Sequence, residues 1–540
     1  MASARTHSSS GAELGASGRA NPRRLPRVVA WAAVIALAVV AGSAEGAPPA
    51  TAAVQDPNIV VIQTDDQAFA TLSARTMPNV VQLVGREGTT FTDNIVTTPL
   101  CCPSRASLLT GQYAHNHGTR SNHPGYGSLK DPGNVLPVWL RRAGYVTAHV
   151  GKFLNGYGDA VPDPYQVAPG WNEWHTWFAA QGKYYDYDLS VNGRRIHFGK
   201  RNDDYVTRVL NRKAVNLINR YVPHSRPLYL QVDQFAPHLG HPDRTGRCPN
   251  APVPDQVDKG LFLNQPLPRP ASFNEADTSD KPSFMQRRKP LSGSEVNAIQ
   301  ARYRCALASL RAVDRGVGQI YQALQDAGEL QNTVIIFTAD NGFFYGEHRI
   351  SAGKLLPYEE ALRVPLLIRV PPQLNGGAAP VAQAGQAVGN IDLAPTVLDF
   401  AGAAACSSAT GCRVMDGRSL RGLIRGDLAG WPQERGVLVE FDNERGQASP
   451  ASTCAYEGIR VRARTHVKHT SVPNSSGVCQ PANQHEHYHL TPDPFQLQNL
   501  VGTTADQQTQ EELASRLADL RACAGIAGRD PLPASGQFCE

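Results

Sequence analysis

The chain has 540 residues, 41% of them apolar and 18% charged, with 48 Gly, 40 Pro, 10 Cys and a formal net charge of +5. These values exclude a small disulfide scaffold, a collagen, a disordered tail protein and a multi-pass membrane protein, and they leave room for a core of enzyme size. The charge identifies no polyanionic partner: residues 1–47 hold five Arg (Arg5, Arg19, Arg23, Arg24, Arg27) and two Glu (Glu13, Glu45), so 5 − 2 = +3 of the excess lies there and about +2 remains.

In chain order, the first feature is an apolar run from Val28 to Gly42, preceded by Arg19, Arg23, Arg24 and Arg27 and followed by the small residues Ala44 and Ala47. This reads as a secretory signal over 1–47. At roughly 15 residues the run is shorter than the about 20 a membrane span needs; an uncleaved N-terminal anchor is the alternative. Pro26 and Arg27 fit twin-arginine export poorly, and no Cys precedes Cys101 to carry a lipid. The expectation is therefore a protein that is secreted, periplasmic or extracellular, with no stable membrane anchor after cleavage. Disulfides persist in such a compartment. Proximity suggests Cys406/Cys412, Cys454/Cys479 and Cys523/Cys539, with Cys248 and Cys305 as a longer pair, leaving Cys101 and Cys102. Without a C-x-x-C pair, a zinc site has little support.

From Asn58 onward, short β-branched runs alternate with helical patterns, which predicts an α/β fold with a mostly parallel sheet. Candidate strands are Ile59–Thr64, Tyr145–Val150, Leu228–Val232, Val334–Thr338 and Pro365–Val370. Between Gly240 and Pro290 the composition predicts an elaborated surface loop beside the site. A helix follows from about Ser294 to Ala327, with apolar residues at Val296, Ile299, Tyr303, Leu307, Leu310, Val313, Val317, Ile320 and Leu324, and Gly328 placed to end it. That stripe is core rather than a cofactor box. Past Gly402 the texture changes: Arg435–Phe441 and Gly458–Val467 read as strands and Glu511–Ala522 as a helix, giving a smaller C-terminal α+β region over 403–540 behind a catalytic domain at 57–402.

Polar groups gather just after the predicted strands, where open α/β sheets place their sites. Asp65 and Asp66 follow the first, Lys152 the second, His238 the third and Asp340-Asn341-Gly342 the fourth. Singly, each also reads as a loop residue or a turn. Asp65, Asp66, Asp340 and Asn341 form an oxygen-only set suited to a hard divalent cation such as Ca²⁺ or Mg²⁺. In Leu100-Cys101-Cys102-Pro103-Ser104-Arg105, Pro103 can open a helix that Gly111 closes, which sets Cys101 at a helix N-terminus, an end that favours anions. The Cys pair also reads as a structural disulfide or a core pair, and a bare thiol nucleophile lacks the partners of a Cys-His hydrolase.

Cys101-x-Pro103-Ser104-Arg105 with Leu109-Thr110-Gly111 resembles the signature of type I sulfatases, whose cysteine becomes formylglycine. The resemblance runs through Thr64-Asp65-Asp66-Gln67, Gly151-Lys152, Ala236-Pro237-His238, Asp340-Asn341-Gly342, Ile391-Asp392-Leu393-Ala394-Pro395-Thr396 and Leu490-Thr491-Pro492-Asp493-Pro494. Cys101-Cys102, His115-Asn116-His117 and Gly151-Lys152-Phe153-Leu154-Asn155 look closest to the N-acetylglucosamine-6-sulfatase and heparan-sulfate 6-O-endosulfatase branch, whereas Gly346-Glu347-His348 is more like bacterial arylsulfatases.

The resemblance implies an alkaline-phosphatase-like sandwich and hydrolysis of a sulfate ester, on a sulfated sugar or an aryl sulfate. It implies Asp65, Asp66, Asp340 and Asn341 as Ca²⁺ ligands, with the modified Cys101 also touching the metal. It further implies Arg105 holding the formylglycine hydrate, Lys152, His238 and Lys354 contacting the sulfate ester, and a formylglycine-generating enzyme as maturation partner. One hydroxyl of the hydrate would attack sulfur and the second would release sulfate by collapse to the aldehyde. Leu154 stands where many arylsulfatases carry an imidazole, which His149 could replace. His115 and His117 either support the site, bind sugar or pack. The rivals are a formylglycine-dependent phosphonate monoester or phosphodiester hydrolase and an inactive sulfated-glycan binder. No basic stripe with interleaved aromatics predicts nucleic-acid binding.

Overall fold

Successive residues of the strand Asn58–Thr64 are buried on both sides. Ile59 and Val61 pack with Ala106, Leu136 and Trp139, while Val60 and Ile62 pack with Leu210, Leu217, Val313 and Val317. A run apolar at every position, rather than every second one, is what a strand covered by helices on both faces requires. The computed structural model describes residues 56–177, 182–222, 225–240, 248, 250–443, 448 and 453–540; the predicted export signal lies outside them.

The central sheet has ten strands. From edge to edge they are Gln383–Ala384, Thr89–Phe91, Leu366–Arg369, Thr333–Ala339, Asn58–Thr64, Leu228–Asp233, Val146–Lys152, Glu173–Trp177, Tyr187–Val191 and Arg194–Phe198. The five strands from Thr333–Ala339 to Glu173–Trp177 are parallel, so their C-terminal ends open on one edge. Leu366–Arg369 and the last two strands run antiparallel to their neighbours. The fold is the α/β sandwich expected from the alternating pattern, with all five predicted strands present within two residues of their predicted bounds.

The long helix spans Gly293–Asp326, and its apolar stripe from Ile299 to Leu324 is buried as predicted. Its start is fixed by reciprocal capping between Ser292 and Glu295, and Gly328 follows with φ 74°. It packs on a helix at Val206–Tyr221 that the strand-centred pattern did not predict. The Gly240–Pro290 stretch holds only short helical turns among its described residues, and Cys248–Cys305 ties it to the long helix. All four disulfides pair as proximity suggested, and Cys101 and Cys102 are free.

The C-terminal region forms a four-stranded antiparallel sheet, Val437–Asp442, Ala455–Val461, Arg464–Pro473 and Cys479–His489, covered by the helix Gln507–Leu520. The single strand expected at Gly458–Val467 is instead two strands that fold back on each other, Ile459 facing His466. The turn consists of Arg462 and Ala463, with none of the Gly, Asn or Pro that normally marks one, so the β-branched run reads as continuous in sequence. Among the described residues no helix is long and apolar enough to cross a membrane.

Candidate active site

Four adjacent parallel strands deliver the polar groups. Thr64 pairs with Ala339, so Asp65 and Asp340 leave neighbouring strand ends side by side. Lys152 and Asp233 are the last residues of their strands. Gly151 has φ 114°, and a Cβ there would stand 1.9 Å from the carbonyl oxygen of Asp233; only glycine lets the two strands close this tightly and aim Lys152 into the site.

Cys101 opens the buried helix Cys101–Thr110. The backbone N–H of Cys102 donates to Asn122 Oδ1 at 3.0 Å, which satisfies one free N-terminal amide. Gly111 closes the helix with φ 68° and its N–H on the Ser107 carbonyl. The Cys101 Sγ therefore sits at the positive end of the helix dipole.

The predicted residues converge. Asp65, Asp66, Cys101 and His238 each present a ligand atom, and these atoms all lie within 4.8 Å of one another. Lys152 donates to Asp65, and Lys354 donates both to Asp66 and, at 2.9 Å, to Cys101 Sγ. Arg105 donates from Nε to Asp340 Oδ2 at 2.9 Å and from Nη1 to the Lys152 carbonyl at 2.9 Å. Asp340 Oδ1 accepts the Asp66 amide at 3.1 Å, and Asn341 Nδ2 donates to Asp66 Oδ1 at 2.7 Å. Asp66 adopts φ 65°, a left-handed conformation that Asp tolerates better than most residues. His238 is the most open member, its side chain 29% exposed and Nε2 3.6 Å from Asp66 Oδ2.

Burial pushes the Asp65 and Asp66 carboxyls up, but Lys152 beside Asp65, Lys354 beside Asp66 and His238 near both outweigh it, and both stay below the ordinary carboxylate range. Burial pulls Lys152, Lys354 and Arg105 down, and their carboxylate partners lift all three above their ordinary values. Asp65 and Asp66 are thus held as carboxylates and Lys152, Lys354 and Arg105 as cations. The Cys101 thiol goes the other way: burial and then the Asp65 carboxylate raise it to about 11, which disfavours a thiolate nucleophile at neutral pH.

The residues present fit a hard divalent cation. Asp65, Asp66, Asp340 and Asn341 are all buried, and Asn341 Oδ1 has no hydrogen-bond partner among the described residues. Four carboxylates (Asp65, Asp66, Asp233, Asp340) face three cations (Arg105, Lys152, Lys354), a sum of −1 that a divalent ion turns to +1, the sign an anionic ester needs.

Four other histidines, His115, His117, His149 and His348, make framework contacts. His115 bonds Glu440 and the Cys523 carbonyl at 3.0 Å each, fastening the region after the helix to the C-terminal part. His117 is held by Ser107 Oγ at 3.1 Å, and burial pushes it down to about 3. His149 does not replace the imidazole missing at Leu154: its Nδ1 faces Thr176 and its Nε2 faces Asp233 Oδ2 at 2.9 Å. Leu154 is part of an apolar cluster with Phe153, Tyr157 and Trp174. His348 stacks on Tyr358 and bonds Glu275 Oε2 at 2.7 Å. Asp233 and Glu275 were missed; the signal for Asp233 was an acid terminating the apolar run Leu228–Val232.

The sulfatase family model matches residues 57–403. The chain belongs to the sulfatase family. It is 31% identical to the human (Homo sapiens) N-acetylglucosamine-6-sulfatase over 540 aligned residues, 95% of this chain and 92% of the relative. A solved structure of a protein in complex with its substrate, D-glucosamine-2-N,6-O-disulfate, superposes with a TM-score of 0.67 at 26% identity, covering 86% of this chain and 97% of that one. The phosphonate monoester hydrolase of Agrobacterium radiobacter shares the fold, with a TM-score of 0.63 at 20% identity over 89% of this chain and 99% of that one. This sulfatase hydrolyses sulfate esters and has the alkaline-phosphatase-like architecture of its neighbours.

Proposed function

We propose that this sulfatase releases sulfate from a sulfated amino sugar of the N-acetylglucosamine-6-sulfate type, using formylglycine made from Cys101 by a formylglycine-generating enzyme. The observation that carries the reading is the position of Cys101: at a helix N-terminus, with Lys354 Nζ 2.9 Å from its sulfur and Asp65 and Asp66 alongside. The human relative and the disulfated glucosamine that is the substrate in the neighbouring structure support the sugar.

In this reading a Ca²⁺ ion would be held by Asp65, Asp66, Asp340 and Asn341 together with the modified residue 101, and would supply positive charge to the ester oxygens. Formylglycine would supply a hydrated aldehyde whose hydroxyl attacks sulfur and whose partner hydroxyl allows sulfate to leave. The chain's own groups do the remainder. Arg105, fixed by Asp340 and the Lys152 carbonyl, holds the nucleophilic side chain in place. Lys152 and Lys354 lie where negative charge builds on the sulfuryl oxygens, preorganised by Asp65 and Asp66. His238, the exposed member, protonates the departing sugar oxygen.

Residues 1–47 are an export signal in this reading, and the four disulfides support an oxidising destination. Residues 403–540 are a C-terminal subdomain contributing to substrate choice.

Intact-mass analysis of the Cys101 peptide, after expression with a formylglycine-generating enzyme, is expected to show the aldehyde. The purified protein should then favour glucosamine-6-sulfate over aryl sulfate and phenylphosphonate. An unmodified cysteine in fully active protein, or preference for the phosphonate, would overturn the proposal.

A further inference from the structure

Away from the reacting centre, a groove of about 800 Å³ lies between the Phe284–Glu295 segment and the hairpin turn at Pro473–Gly477. Arg287, Arg288, Lys289 and Arg349 line it, against the single carboxylate of Glu295. That carboxylate is already engaged, accepting from the Ser292 amide at 2.8 Å and its hydroxyl at 2.7 Å. Arg349 donates to three carbonyls, those of Glu275, Ala276 and Arg288, at 2.7–2.8 Å, which fixes its guanidinium without neutralising it. Arg288 Nη2 is buried and has no hydrogen-bond partner among the described residues. A guanidinium carries its charge at any working pH, so an unmatched buried N–H here is a cost that an anionic ligand would remove. The 34-residue helix starts on the same wall at Ser292, adding its positive end.

The groove is joined to the active site through the chain. Ser351 lines it, and Lys354, which touches Cys101, is three residues on, at most about 11 Å of extended backbone. Asn474, Ser475 and Ser476 make the facing rim polar and exposed, suited to sugar hydroxyls.

We infer that this groove is a subsite for an acidic saccharide chain, binding sulfate or carboxylate groups on sugar units beyond the one that is hydrolysed. The inference rests on the sulfated-sugar reading above and extends it from a monosaccharide to a polyanionic oligosaccharide. Charge-assisted hydrogen bonds from Arg287, Arg288 and Lys289 would hold the chain, with Arg349 providing fixed positive potential behind them.

The test compares the full-length wild type with Arg287→Glu/Lys289→Glu, and with Lys289→Glu alone in case the double variant fails to fold. Binding of a heparin-derived hexasaccharide is measured by calorimetry, and turnover is measured on glucosamine-6-sulfate. The double variant is expected to bind the hexasaccharide about tenfold or more weakly, the loss of two charge-assisted contacts, with monosaccharide kcat/KM unchanged. Lys289→Glu alone should show a smaller loss of the same kind. Equal hexasaccharide affinity in wild type and variants overturns the inference, and so does equally tight wild-type binding of a thymidine oligonucleotide of matched charge. Groove-dependent hexasaccharide binding without sulfate release from either sugar would sustain the subsite and remove the proposed substrate, so the two failures are separable.

Discussion

Asp233 lies 3.4 Å from the Arg105 guanidinium, and its other carboxylate oxygen accepts from Gln231 Nε2 at 2.8 Å and faces His149 Nε2 at 2.9 Å. Arg105 is thereby gripped from two sides, by Asp340 after the Thr333–Ala339 strand and by Asp233 at the end of Leu228–Asp233, the strands on either side of Asn58–Thr64. Asp233 is a positioning residue in this arrangement. Asp233→Asn keeps the shape and removes the charge, and is expected to lower kcat about 10–100-fold with KM little changed, as losses of supporting partners commonly do. Asp233→Ala should also lower thermal stability, because a buried cation loses a partner. Unchanged kcat in a less stable Asp233→Asn protein would reduce Asp233 to a structural role.

The proposed metal site gives a second prediction. Asp65, Asp66 and Asp340 are buried together, and Asn341 Oδ1 beside them has no hydrogen-bond partner among the described residues. Exhaustive chelation is expected to abolish turnover and lower the unfolding temperature, with Ca²⁺ restoring both; an ion present at 100 times its Kd contributes about 3 kcal/mol. Asn341→Leu should raise the Ca²⁺ concentration needed for recovery. Full activity in protein shown to be free of metal would contradict the assignment.

Much of this site was legible because it follows backbone rules. Asp65, Lys152, His238 and Asp340 come after apolar β-branched runs, and parallel strands put such positions on one edge whatever the intervening sequence. What the sequence did not disclose depends on three-dimensional pairing. Asp233 is one acid among many until the Leu228–Asp233 strand is placed against Val146–Lys152. His149 and Leu154 are close in sequence to Lys152, yet alternation along the strand and the chain's exit direct both into structural contacts. The hairpin at Arg462-Ala463 was hidden because its two strands carry the same alternating pattern and its turn has no distinctive residue.

The Cys248–Cys305 disulfide supplies a prediction about the loop. It joins residues 57 positions apart and anchors the Pro-rich segment to the long helix. In the loop-entropy account, closing a loop of that length constrains the unfolded chain by about 4 kcal/mol. Cys248→Ser/Cys305→Ser is expected to lower stability by up to that amount in urea unfolding. Limited proteolysis should then cut between Gly240 and Pro290 before it cuts the sheet. An unchanged urea midpoint and cleavage pattern would show that the loop is held by its other contacts.

The C-terminal sheet should be the acid-sensitive part of the molecule. His466 faces His487 across two strands, with ring centroids 5.6 Å apart, and His485 lies 5.7 Å away. Burial, and then the proximity of His487 and His485, push His466 down to about 4 from an ordinary 6.5. A histidine whose native pKa is depressed binds protons more readily when unfolded, so its stabilising contribution is complete above about pH 6.5 and is lost as pH falls toward 4. The loss is bounded at about 3 kcal/mol. His466→Phe retains a ring of similar size and cannot titrate. Urea unfolding of both proteins across this pH window is expected to show a smaller acid-induced loss in the variant. If the two lose equal stability, the acid sensitivity resides elsewhere, because no other change in the variant removes a proton-binding group from this sheet.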